Sequence, residues 1–240
     1  MLVNRLLNIQ RVLNNKLLKR YSSNSSNIGN TKLILKNDYP IKKCRNILNS
    51  DTITVLGYGP QGRAQALNLK DNNYNVIIGV RKDGQSWNNA IDDGWEPSNN
   101  LFNIEEATYN GTIIKYLLSD AGQIEQWKTV KNNLNANDTL YFSHGFGIHY
   151  HKYTNINPPD DVNIIMVSPK CSGNTVREHF LNNKGIVSSY AIYKDYTGNS
   201  YEKCLALAFS IGNNYIFETT FENEVVSDLT GERCILMGMI

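Results

Sequence analysis

Gly57, Gly59 and Gly62 interrupt a short apolar, β-branched run that begins at Thr52. Glycines at that spacing behind a buried strand can do three things. The first permits a tight turn, the second lets the main chain approach a pyrophosphate, and the third lets the following helix pack on the strand. The spacing alone is a weak sign, because glycine-punctuated strand ends also occur where nothing binds. Further on, at the place where an NAD site puts Asp or Glu on the ribose hydroxyls, the chain reads Arg81, Lys82 and Ser86. Two cations and a hydroxyl donor suit a 2′-phosphate, hence NADP(H). An ordinary solvated turn is the competing reading of Arg81 and Lys82.

A second set of reactive side chains follows apolar runs. Asp120 comes after Thr112 to Leu118, His144 opens the turn His-Gly-Phe-Gly after Thr139 to Ser143, and Lys170 sits in Ser-Pro-Lys-Cys-Ser-Gly after Val162 to Val167. In an open parallel sheet ligands collect beyond the carboxyl ends of the strands, which puts all three on the ligand side. The competing readings are a structural histidine and a surface lysine. A third set, Glu224, Asp228 and Glu232, recurs every fourth residue, so one helix face carries all three carboxylates. Like charges so stacked repel unless a cation or water receives them, and two carboxylates plus water are a usual way to hold Mg²⁺. A solvated acidic face is the alternative.

The elements needed to position these groups alternate in type. A short helix is expected from Ile41 to Leu48, a strand over 52 to 56, a helix carrying Ala64, Ala66, Leu67 and Leu69 that ends at Asn72-Asn73, and a strand from Asn75 to Val80. Together they make one βαβ unit. A helical turn at Trp87 to Ala90 and helices near Ile104 to Ala107, Ile124 to Asn133 and Tyr201 to Ile211 follow. They alternate with the strands above and with two more, Gly185 to Tyr193 and Asn214 to Thr219. Residues 38–219 therefore read as one α/β domain, a doubly wound Rossmann-like parallel sheet. Residues 220–240 change character and read as a helical segment whose apolar positions should pack into something.

At 240 residues and 41% hydrophobic the chain can bury one good core. No apolar run reaches the roughly 18 residues of a membrane span. Net charge is +2, but seven of the 24 Lys and Arg lie in residues 1–37, which hold no acid, leaving 17 against 22 Asp and Glu. A mildly acidic body argues against a nucleic-acid partner. The leader over 1–37 is basic and amphipathic, then rich in Ser and Asn, as a mitochondrial transit peptide is; a disordered or nucleic-acid-binding tail is the alternative. Cys44, Cys171, Cys204 and Cys234 are widely spaced, which disfavours structural zinc and a disulfide framework.

Six stretches carry a resemblance: GYGPQG at 57 to 62, GVRKDGQSW at 79 to 87, LLSDAGQ at 117 to 123, YFSHGFG at 141 to 147, PKCSGNTVRE at 169 to 178 and FENEVVSDLTGE at 221 to 232. In this order they resemble acetohydroxy acid isomeroreductase, also called ketol-acid reductoisomerase, in its mitochondrial eukaryotic form. The resemblance implies an NADP-binding Rossmann domain followed by a knotted helical domain. It implies a Mg²⁺-dependent alkyl migration of 2-acetolactate or 2-aceto-2-hydroxybutyrate, then reduction by NADPH, in valine and isoleucine biosynthesis. It also implies a homo-oligomer in the mitochondrial matrix.

Residue by residue, the resemblance places Asp228 between two metal ions, Glu232 on one of them, and Glu224 outside the ligand set. His144 and Lys170 would line the site in hydrogen-bonding and proton-handling roles. Gly57, Tyr58, Gly59, Pro60, Gln61, Gly62, Arg81, Lys82, Ser86, Ser119, Asp120, Gln123 and Gly145 belong to the cofactor motifs. The family continues beyond the position of Ile240 with two more carboxylate ligands and a substrate-binding serine. The expectation is thus an incomplete enzyme, inactive or nearly so by itself, with a non-catalytic NADP-binding module or a partner for a full-length subunit as the alternative.

Overall fold

The computed structural model describes residues 27–28 and 31–231. The strands are β1 (Asn27–Ile28), β2 (Thr31–Leu35), β3 (Ile53–Leu56), β4 (Val76–Gly79), β5 (Leu101–Phe102), β6 (Ile113–Tyr116), β7 (Thr139–Phe142), β8 (Asn163–Pro169), β9 (Ile186–Lys194) and β10 (Asn213–Glu218). The helices are α1 (Ile41–Ile47), α2 (Pro60–Asp71), α3 (Gln85–Asp92), α4 (Ile104–Asn110), α5 (Asp120–Asn133), α6 (Phe146–His149), α7 (His151–Thr154), α8 (Gly173–Leu181), α9 (Ser200–Ser210) and α10 (Phe221–Leu229). The sheet order is β1-β2-β10-β9-β8-β7-β6-β3-β4-β5, an α/β Rossmann-like arrangement. The chain moves outward from β3 through β4 to β5 and returns to β6 on the other side of β3. The carboxyl ends of β3 and β6 therefore flank a topological switch point, where such sheets leave a crevice.

Strand periodicity divides the core between the two faces of the sheet. Ile53, Val55, Ile78, Ile113 and Tyr141 pack with Ala66 and Leu69 of α2 and with Cys204 to Phe209 of α9. Leu56, Ile77, Ile114, Tyr116, Leu140 and Phe142 pack with Ala107 of α4, Trp127 and Val130 of α5 and Phe221 of α10. One charge interrupts this pattern. Lys115 in the middle of β6 is completely buried, its Nζ lies 3.7 Å from the centre of the Tyr141 ring, and no hydrogen-bond partner meets it among the described residues. Burial pushes this amine well below its ordinary range.

The structure departs from the expectation in three places. The sheet is parallel from β3 to β8 and between β9 and β10, but β8 and β9 pair antiparallel, with Ser168 opposite Ser189. Here α8 lies along α2 instead of crossing the sheet, Arg177 reaching Asn68 and Asp71 at 2.8 and 2.7 Å, so the chain re-enters beside the end it left. The leader range 1–37 is corrected at its carboxyl end. Thr31–Leu35 forms β2, which pairs antiparallel with β10, and Ile34 is buried; residues 1–26 lie outside the described residues. Finally, β5 and helices α6, α7 and α8 have no counterpart in the sequence reading, because each is short or lacks an apolar stripe.

Candidate functional site

A cleft of about 990 Å³ opens beyond the carboxyl ends of β3, β6, β7 and β8, with α10 along one side. Its first wall is made of backbone. Gly57 has φ +96°, and a Cβ there would meet the Leu117 carbonyl oxygen at 2.8 Å. At Gly62 a Cβ would fall 2.2 Å from the Gly57 carbonyl oxygen. Gly59, by contrast, has nothing within 4 Å of its open face and caps α2 without any side-chain hydrogen bond, with Pro60 at the first helical position. Ser119 and Ser172 cap α5 and α8 on the same cleft. Three helix amino termini thus converge there, and their unpaired N–H groups and aligned dipoles favour an anion.

Side chains behind this wall fix it in place. The amide Nε2 of Gln61 donates to the Cys171 carbonyl at 2.9 Å, joining the glycine turn to the loop that carries Lys170. Gln65, fully buried one helical turn later, donates to Gln61 Oε1 and Ser143 Oγ and accepts from the Tyr141 hydroxyl. Gln123 is also buried and donates to the carbonyls of Tyr116 and Leu118, holding the end of β6.

The second wall is made of paired charges. His144 Nδ1 lies 2.9 Å from Asp228 Oδ2. Burial by itself would lower the imidazole, but Asp228, Asp120 and Glu224 outweigh it and leave His144 raised above its ordinary value. The Asp228 carboxyl is correspondingly held below the usual range by the His144 ring beside it. Beside this pair, Lys170 bonds to Glu224, a carboxylate only 3% exposed. Glu224 also accepts from Ser168 Oγ and Ser189 Oγ, both at 2.6 Å. One carboxylate therefore ties α10 to two neighbouring strands and steadies Lys170 at the cleft rim.

Gly59, Pro60, Gln61, Ser119, Asp120, Gln123, His144, Lys170 and Asp228 all line the one cleft. Other expected residues do not. The Tyr58 ring points away from the cleft and is buried, its hydroxyl donating to Asp93 and accepting from Trp95 Nε1. Arg81, Lys82 and Ser86 lie apart, Arg81 and Lys82 exposed in the loop from β4 into α3 and Ser86 in the first turn of α3. Gly145 does not line the cleft. A Cβ there would meet the Phe221 carbonyl oxygen at 2.4 Å, so this glycine admits α10. Glu224 does not share an outward face with Asp228; it turns into the core. Glu232 lies outside the described residues.

Two bound groups are implied, and the residues bear differently on each. The open face of Gly59, at an α2 terminus that no side chain caps, fits a pyrophosphate. Asp228 fits as one carboxylate of a Mg²⁺ site, but among the described residues no cluster of three or more His, Cys, Asp or Glu is placed to hold a metal. Sequence reasoning missed Gln65, Ser143, Ser168, Ser189 and Asp93. Ser168 and Ser189 stand in ordinary strand positions, and Asp93 meets Arg63 across 30 residues, so no local signal marks them.

Residues 47–216 match the family described as acetohydroxy acid isomeroreductase, NADPH-binding domain. The chain is 53% identical over 208 residues to a ketol-acid reductoisomerase (NAD(+)) of Desulfosudis oleivorans, covering 87% of this chain and 59% of that one. It is 52% identical over 203 residues to a mitochondrial ketol-acid reductoisomerase of Saccharomyces cerevisiae, covering 85% and 51%. Among solved structures, an NADH-preferring ketol-acid reductoisomerase from an uncultured archean superimposes with TM-score 0.77 at 36% identity, over 86% of this chain and 61% of that one. The chain thus spans between half and about three fifths of the length of these relatives.

Proposed function

The chain belongs to the acetohydroxy acid isomeroreductase family, and on that premise we propose that it is the dinucleotide-binding part of a ketol-acid reductoisomerase. The substrates are 2-acetolactate or 2-aceto-2-hydroxybutyrate, and the cofactors NADP(H) and Mg²⁺. The observation that carries this reading is the meeting of the glycine turn, His144 with Asp228, and Lys170 with Glu224 in a single cleft. The turn and the amino termini of α2, α5 and α8 hold the pyrophosphate. Arg81, Lys82 and Ser86 hold the 2′-phosphate, so that NADPH is preferred although relatives of both preferences exist. Asp228 and Glu232 hold Mg²⁺, which when bound supplies Lewis acidity to a carbonyl and a tertiary hydroxyl. NADPH when bound supplies the hydride.

The chain's own side chains orient the substrate and handle protons. Asp228 holds the imidazole of His144 raised and oriented, so that this ring donates hydrogen bonds toward the cleft. Lys170, held in place by Glu224, places a positive charge where oxygen anions of the substrate collect. The chain spans 59% and 51% of two relatives' own lengths, and turnover is read as needing the part of such a chain that these residues do not span. The basic leader and the names of fungal relatives support a place in the mitochondrial matrix, and the complete enzyme is read as a homo-oligomer.

The test is NADPH oxidation with 2-acetolactate and Mg²⁺, by the chain alone and by the chain mixed with the carboxyl-terminal half of a relative. Turnover confined to the mixture supports the proposal. Robust turnover by the chain alone contradicts the need for further donors, and none in either sample contradicts the assignment.

A further inference from the structure

Tyr58 sits between the two most constrained glycines of the turn, yet its side chain serves a cluster on the far side of the loop. Its hydroxyl donates to Asp93 Oδ2 at 2.8 Å and accepts from Trp95 Nε1 at 2.6 Å. Asp93 in turn receives both arms of Arg63, Nε at 2.6 Å and Nη2 at 2.7 Å, the fork-to-fork geometry that fixes direction as well as distance. Lys70 lies seven residues beyond Arg63, on the same face of α2. It donates to the Gly94 carbonyl at 2.9 Å and places its ammonium 4.4 Å from the centre of the Trp95 ring.

Residues 93 to 95 follow directly on α3, whose amino-terminal end carries Ser86 and the Arg81 loop. One clasp therefore joins the glycine turn, the helix that presents its N–H groups, and the element bearing the 2′-phosphate contacts. Tyr58 and Trp95 are 3% and 2% exposed, so the bond between them holds against competition from water, while the Arg63 side chain that closes the clasp on Asp93 is half exposed.

We propose that Asp93 is a positioning residue for the dinucleotide. By holding Arg63 and Tyr58 together it sets the height and tilt of the Gly57–Gly59 turn against α2. This rests on the dinucleotide reading above. The pyrophosphate is common to both nicotinamide cofactors, so a displaced turn penalises each alike.

Titration of the chain with NADPH and with NADH, alongside thermal unfolding, tests the proposal. Asp93→Ala is expected to weaken both cofactors by the same factor, about tenfold or more, because sub-ångström displacement of a preorganised site is costly. Asp93→Asn, which keeps an acceptor for Tyr58, recovers most of that loss. Tyr58→Phe, which removes one hydroxyl and keeps the packing, gives a smaller loss in the same sense and serves if Asp93→Ala does not fold. A lower melting temperature with cofactor affinity unchanged overturns the proposal, since Asp93 would then be structural only. A loss confined to NADPH also overturns it, by tracing the effect to the 2′-phosphate loop. Failure of the unaltered chain to bind either cofactor overturns the dinucleotide reading itself.

Discussion

The two walls of the cleft are built on different principles. The glycine-turn wall is local and made of main chain. Gly57, Gly59 and Gly62 lie within six residues, and what matters at each is the absence of a Cβ. The opposite wall is assembled from distant side chains, with Lys170 meeting Glu224 across 54 residues and Ser189 meeting it across 35. A backbone wall tolerates almost no side chain where it turns and accepts one where it faces the ligand. A side-chain wall tolerates changes of shape but not the loss of a charge.

The steepest contrast lies within the first wall. Gly62→Val would drive a side chain into the Gly57 carbonyl, and is expected to cost more than about 3 kcal/mol of stability and all measurable cofactor binding. Urea unfolding and cofactor titration check this. In the second wall, Glu224→Ala strands two buried hydroxyls and a lysine. It is expected to cost about 2–3 kcal/mol, discounted because Lys170 is partly exposed, while NADPH affinity changes little. Strong loss of cofactor affinity there would mean that the two walls are not separable.

Between the walls, Lys115 offers a change of opposite sign. Its pKa is depressed in the folded chain, so between that value and the ordinary range the unfolded chain holds the extra proton and stability rises with pH. Lys115→Met is expected to add roughly 1–3 kcal/mol by removing an unpartnered buried amine and to flatten that rise, as read from urea midpoints across the range. The smallest global effect belongs to Arg81→Asp. Exposed and outside both walls, it should leave stability within about 0.5 kcal/mol and weaken NADPH far more than NADH; equal weakening would refute the 2′-phosphate assignment.

The same division decides what could be read from the sequence. The glycine turn and the strand ends at Asp120, His144 and Lys170 were legible, because backbone geometry and strand periodicity act over a few residues. The second wall was legible only as parts. Spacing placed Glu224, Asp228 and Glu232 on one face, but burial turned Glu224 toward Ser168 and Ser189 while Asp228 met His144. The resemblance placed Tyr58 among the cofactor motifs, and its partners Asp93 and Trp95 are fixed only by tertiary packing. Strand β2 was lost to the leader because five residues following a basic stretch carry too little pattern to register.

The central claim is that the open face of Gly59 receives a pyrophosphate, and Gly59→Asp tests it most directly. Gly59 has φ −73° and nothing within 4 Å of a Cβ, so an aspartate fits and can cap α2, which is worth about 1 kcal/mol. NADPH titration followed by nicotinamide fluorescence, with melting temperature measured in parallel, should show saturable binding by the unaltered chain. The variant should melt at the same or a higher temperature and bind no NADPH. Undiminished binding by that variant would contradict the account.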